Sequence, residues 1–97
     1  MHRQPAIYLL TNKPHGTLYT GVTSNLVKRI WEHKNKVIRG YSARYNLTRL
    51  VCFELFEEMY EAISREKQIK AGSRGKKLEL IESMNPEWRD LYREICS

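Results

Sequence analysis

Five residues in this chain have the types and spacing to act on a phosphate: Tyr8, Tyr19, Arg29, His33 and Glu66. Glu66 is the most demanding of them. A helix over 59–70 carries Met59, Ala62, Ile63 and Ile69 on one stripe. At about 100° per residue, Glu66 projects into the middle of it. A carboxylate there costs roughly several kcal/mol unless it is paired, protonated or bound to a metal. One explanation is a structural ion pair, for instance with Arg29 or Arg65. The other is a carboxylate aimed into a cleft, as a ligand for a hard cation or as a general base. Arg29 and His33 stand four apart, one helical turn, on the edge of an apolar arc. One acid facing that basic pair suits phosphate ester chemistry: the acid holds a divalent cation, and the basic groups neutralise the phosphate. Tyr8 and Tyr19 lie on neighbouring strands and can come close across them, either as plain aromatic packing or as phenols with a lowered pKa beside a cation.

The elements that must position these residues follow from the pattern. Ala6 to Thr11 is apolar and reads as a strand; Asn12-Lys13-Pro14-His15-Gly16 is a turn cluster; Thr17 to Val22 is the returning strand. Alternation puts Tyr19 and Gly21 on one face and Leu18, Thr20 and Val22 on the other. Thr23-Ser24-Asn25 offers caps for a helix whose arc is Leu26, Val27, Ile30, Trp31, Val37 and Ile38. Gly40 to Thr48 reads as a loop and Arg49 to Phe56 as a third strand. The helix carrying Glu66 ends before Ala71-Gly72-Ser73, where Ser73 caps the next helix to about Met84. Asn85-Pro86 predicts a last helix over 86–95, with Trp88, Leu91, Tyr92 and Ile95 as its stripe. The order β-β-α-β-α-α-α predicts an α+β fold: a small three-stranded mixed or antiparallel sheet flanked by helices.

Ninety-seven residues and 41% apolar composition predict one domain, 1–97, with a core over 5–84. No apolar run reaches the ~18–20 residues of a membrane helix. The amino end, from Met1 to Pro5, carries no secretion signal pattern, so a cytoplasmic location is expected. Cys52 and Cys96 stand without a Cys-x-x-Cys or Cys/His cluster, which predicts reduced thiols and no zinc site. The net charge is +6, split as +7 over residues 1–48 and −1 over 49–97. A second basic cluster runs from Arg65 to Lys77. Two positive patches suit a polyanion such as nucleic acid, or an anionic membrane surface. The candidate phosphate contacts are Lys28, Lys34, Lys36, Arg39, Lys67, Lys70, Arg74, Lys76 and Lys77.

Taken together, Ala6-Ile7-Tyr8, ten residues, then Tyr19-Thr20-Gly21 resembles the paired motif of the GIY-YIG nuclease superfamily. Arg29-Ile30-Trp31-Glu32-His33 resembles its Arg-x-x-x-His helix. The segment from Ala62 to Lys70 resembles the helix with its metal-binding glutamate, which falls on Glu66. The tail, with Asn85-Pro86-Glu87-Trp88, is similar to small stand-alone bacterial members. Ala6 replaces the usual Gly and Thr20 the usual Ile. Asn85, a candidate for an asparagine that often follows that helix, reads better as a cap. The resemblance implies a three-stranded mixed sheet and hydrolysis of phosphodiester bonds, in DNA, with Mg²⁺ or Mn²⁺ held by Glu66. It implies Arg29 on the transition-state phosphate and Tyr8 and Tyr19 lining the site, with Tyr19 favoured for activating water. It further implies His33 assisting proton transfer or holding a tyrosine, and Gly21 allowing close packing. Low sequence specificity or structure-directed targeting, in repair or recombination, completes that expectation. The alternative is a catalytically inactive nucleic-acid-binding module.

Overall fold

The computed structural model describes residues 3–97; Met1 and His2 lie outside the described residues, so the reading of the amino end begins at Arg3. The central strand is β1 (Ala6–Thr11), a run of six residues buried along its whole length. Its neighbours are β2 (Leu18–Thr23) and β3 (Arg49–Leu55), giving the sheet order β2-β1-β3. Both pairings are antiparallel. The mixed sheet implied by resemblance is therefore corrected: the turn cluster returns β2 as a hairpin, and the longer connection also brings β3 back antiparallel to β1. A bulge between Leu9 and Leu10 lets Val51 and Cys52 pack into one core together.

Alternation along β1 builds two cores. Ala6, Tyr8 and Leu10 join Leu26 and Ile30 of α1 (Leu26–Lys34), together with Leu91. Ile7 and Leu9 join Ala62 and Ile69 of α3 (Met59–Ala71) and Ile81 of α4 (Arg74–Met84). The result is a three-layer packing with helices on both faces. Asn25 caps α1 through the Lys28 amide at 3.2 Å, and Ser73 caps α4 through the Lys76 amide at 3.2 Å. No helix among the described residues is long and apolar enough to cross a membrane. Both cysteines are free; burial pushes the Cys52 thiol up to about 12, while Cys96 is exposed.

Three stretches differ from the sequence expectation. The first helix stops at Lys34, because Asn35 closes it and Lys36 takes a left-handed φ of 54°. Val37 is thus outside the helix and exposed. The expected loop contains one helical turn, α2 (Tyr41–Arg44). The last helix is α5 (Tyr92–Cys96) rather than 86–95. Trp88 adopts a φ of 56° and packs in the α3/α4 core, whereas Leu91 packs in the α1 core. The segment wraps the end of the sheet, so a stripe that looks helical is divided between its two faces. Asn85 is not an N-cap: its side-chain amide donates to the Val51 and Arg89 carbonyls, at 3.2 and 2.7 Å. Leu91 stands at the start of α5, and Asp90 just before it accepts from the Tyr92 amide at 3.1 Å.

Candidate active site

The site is organised around one phenol. Tyr8 lies on the central strand opposite Gly21 and is 1% exposed. Its ring reaches over Gly21 toward the β2 edge. A Cβ at position 21 would fall 2.4 Å from both the Tyr8 Cζ and hydroxyl. Glycine is required here for close approach rather than for an unusual φ. Because the phenol is enclosed, it cannot swing aside cheaply. Gly21→Ala is expected to lower stability by about 1–3 kcal/mol, the usual scale for overpacking, and to displace the phenol. Thermal unfolding checks this; an unchanged Tm would contradict it.

The Tyr8 hydroxyl is hydrogen-bonded to His33 Nε2 at 2.9 Å, and His33 Nδ1 to Ser42 Oγ at 2.9 Å. His33 is 2% exposed. Burial, reinforced by the Arg29 charge and opposed by Glu32, pushes it down to about 4. It is therefore neutral at pH 7, with one ring nitrogen donating and the other accepting. Ser42, on the inner side of α2, completes this chain of hydrogen bonds. Sequence reasoning did not find it, because nothing in a polar loop marks one serine as buried.

A depressed histidine pKa is also a stability statement. The folded state disfavours the extra proton, so the unfolded chain binds it first as pH falls. Stability is full above about pH 6.5 and is lost progressively toward pH 4. The loss amounts to about 3 kcal/mol from this group. Urea unfolding at pH 7 and pH 4.5 measures it. His33→Gln should flatten that pH dependence, and an equal slope in both proteins would contradict the assignment.

Tyr19 comes from β2, diagonal to Tyr8, with ring centroids 6.3 Å apart; it meets His33 edge-on at 5.5 Å. Unlike Tyr8 it is only half-buried, and it lines a cleft of 380 Å³ with Thr17, Lys70, Arg74 and Lys77. Arg29 forms an ion pair with Glu32 at 3.3 Å, but not with hydrogen-bond geometry: its Nε is a buried donor without an acceptor.

Glu66 approaches from α3, which packs on β2. Its side chain is 14% exposed and pairs with Lys70 at 2.9 Å, one turn along the same helix. That pairing corrects the two partners first considered. Arg65 is held by both carboxylate oxygens of Glu54, at 2.8 and 3.1 Å, and Arg29 by Glu32.

Burial raises the Tyr8 pKa well above the usual phenol range, and the charges of Tyr19 and Glu66 raise it further, while the nearby Arg29 pulls it down. The expected lowering of a phenol beside a cation is thus reversed for Tyr8, because burial outweighs the guanidinium. The hydroxyl is bonded to His33, and the ring lies 6.3 Å from that of Tyr19.

The basic residues divide. Lys70, Arg74 and Lys77 line the Tyr19 cleft. Lys28 and Arg29 line a separate 200 Å³ pocket at the start of α1. Lys76 lines a groove between α3 and α4, and Lys36, Arg39 and Lys67 are exposed. Lys34 is committed elsewhere: it pairs with Asp90, donates to the Thr48 carbonyl and lies over the Tyr92 ring. No group of three or more His, Cys, Asp or Glu side chains gathers among the described residues. A lone carboxylate does not suit zinc, which needs a fuller protein shell. It does suit Mg²⁺, which takes one or two carboxylates and fills its sphere with water and phosphate oxygens.

Residues 4–79 match the family model described as the GIY-YIG catalytic domain. A UPF0213 protein of Clostridium perfringens is 42% identical over 89 residues, covering 92% of this chain and 95% of that protein. A UPF0213 protein of Syntrophus aciditrophicus is 43% identical over 75 residues, covering 73% of this chain and 82% of that one. The solution NMR structure of a UPF0213 protein from Bacillus halodurans superimposes with a TM-score of 0.57 at 27% identity, covering 90% of this chain and 92% of that one.

Proposed function

The chain belongs to the GIY-YIG catalytic-domain family, a nuclease family, and from that premise we propose that it is a divalent-metal-dependent endonuclease hydrolysing phosphodiester bonds in DNA. The observation that supports this best is the Tyr8–His33 hydrogen-bonded pair packed behind Tyr19, whose own ring lines an open basic cleft. Glu66 would hold Mg²⁺ or Mn²⁺, and the ion supplies Lewis-acid stabilisation of the leaving oxygen. The chain's own residues do the rest. Tyr19, the phenol that reaches the cleft, orients the attacking water and, when ionised, takes its proton. Water attacks phosphorus in line: the new P–O bond forms as the opposite one breaks. Arg29, whose side chain stays 38% exposed, neutralises charge on the equatorial oxygens through its guanidinium. Tyr8, His33 and Ser42, enclosed behind Tyr19, are positioning residues.

The lysines and arginines of the cleft contact phosphates, which fix the strand without reading bases. Weak sequence preference follows, with substrate structure guiding targeting, as in repair or recombination. The Glu66–Lys70 ion pair favours a second reading, a binding module in which that carboxylate is structural. That reading requires salt-sensitive binding with no cutting. Incubating branched, duplex and single-stranded DNA with Mg²⁺ and with EDTA separates the two. Cleavage in Mg²⁺ alone supports the nuclease; binding without cleavage in either supports the module.

A further inference from the structure

We propose that the exposed pair Tyr41 and Tyr45 is a stacking platform for unpaired nucleobases, so that the substrate enters the cleft as a single strand. The inference rests on the nuclease reading only for what happens after binding. Tyr41 is 52% exposed and Tyr45 43% exposed, although both are large aromatic side chains. Their ring centroids lie 4.7 Å apart, tilted by 47°, and the Arg44 guanidinium sits 5.5 Å over the Tyr45 ring. Tyr41 opens the α2 turn and Tyr45 closes it as the C-cap residue, and Ser42 of the turn is fixed to His33 in the interior. The platform is thereby tied to the site by one hydrogen bond from its own helical turn.

Its occupant follows from what else lines the same cleft. Tyr41 shares it with Tyr19, Lys70, Arg74 and Lys77. Three cations beside an aromatic face fit a chain that carries one negative charge and one flat ring per unit. Base–aromatic stacking with a basic track is the common device for binding single strands without reading sequence. A duplex keeps its bases stacked on each other and can offer Tyr41 only its terminal pair. A frayed end, flap or single-stranded segment offers bases directly. Stacking needs a flat ring but no hydroxyl, so phenylalanine should serve at both positions.

The test uses the whole chain in EDTA, where no cutting interferes. A 2-aminopurine-labelled oligonucleotide is titrated as single-stranded DNA, single-stranded RNA and duplex DNA. The single strand that fits, DNA or RNA, should bind tighter than the duplex and quench on binding. Tyr41→Leu and Tyr45→Leu should each weaken that binding about 5- to 100-fold. Duplex binding should stay within about twofold. Tyr41→Phe and Tyr45→Phe should restore both affinity and quenching. Leucine at these exposed positions keeps apolar bulk, and circular dichroism confirms the fold of each variant. Equal losses for single strand and duplex, retained quenching in the leucine variants, or no oligonucleotide binding at all would overturn the platform. A wild type that stacks single strands yet cuts nothing in Mg²⁺ would support the platform while refuting the nuclease.

Discussion

Glu66→Gln should abolish most cleavage, with a loss of about 10²–10³ in rate, the scale expected when one positioned charge stabiliser is removed. The substitution keeps the size of the side chain and removes its charge. Glu66 shares its helix face with the buried Ala62 and Ile69 but keeps its side chain 14% exposed, and glutamine preserves its length and polarity, so folding should survive. Lys70 loses its partner, but a partly exposed i,i+4 pair contributes only about 0.3–0.5 kcal/mol. Activity and stability should therefore separate: a large fall in the first and a small change in Tm. Single-turnover cleavage in Mg²⁺, beside thermal unfolding, reads both. Undiminished cutting would remove Glu66 from the chemistry, and collapse of the fold would show that the carboxylate is structural.

Arg29→Ala carries an effect of the same order, about 10²–10³ in rate, for a different reason. A planar guanidinium presents several donors in a fixed fork, which matches phosphate oxygens. Arg29→Lys keeps the charge but loses the fork, so it should recover only part of the rate. Removing the guanidinium also removes a charge that holds Tyr8 and His33 down. The His33 titration, followed by NMR, should move up from about 4 in the alanine variant. Normal cleavage, or a His33 titration that does not move, would contradict the placement of Arg29 beside this network.

Much of this arrangement is legible in the sequence because local and tertiary forces agree. The apolar run at Ala6–Thr11 can only be a buried strand, and alternation alone puts Tyr19 and Gly21 on one face. Asn25 and Ser73 cap helices because their short side chains reach amide groups at the helix start. Glu66 stands out because its neighbours are apolar. What the sequence hides is set by tertiary contacts. Lys36 and Trp88 adopt left-handed backbone conformations that their residue types do not advertise. Each ends or diverts an element that periodicity alone would continue. Ser42 acquires meaning only when α2 places it against His33. The depth of Tyr8 is likewise a property of the assembled layers, and it separates the two tyrosines: Tyr8 is enclosed, while Tyr19 meets the cleft.

The central claim is spatial: residues from β1, β2, α1 and α3 form one divalent-cation site beside the cleft. Mn²⁺ titration followed by NMR line broadening tests it without relying on catalysis. Signals of Tyr8, Tyr19, Gly21, Arg29 and His33 should broaden first, those of Trp88 and Ile81 should not, and Glu66→Gln should abolish the effect. Broadening centred elsewhere, or undiminished in that variant, would show that these side chains do not share a metal site.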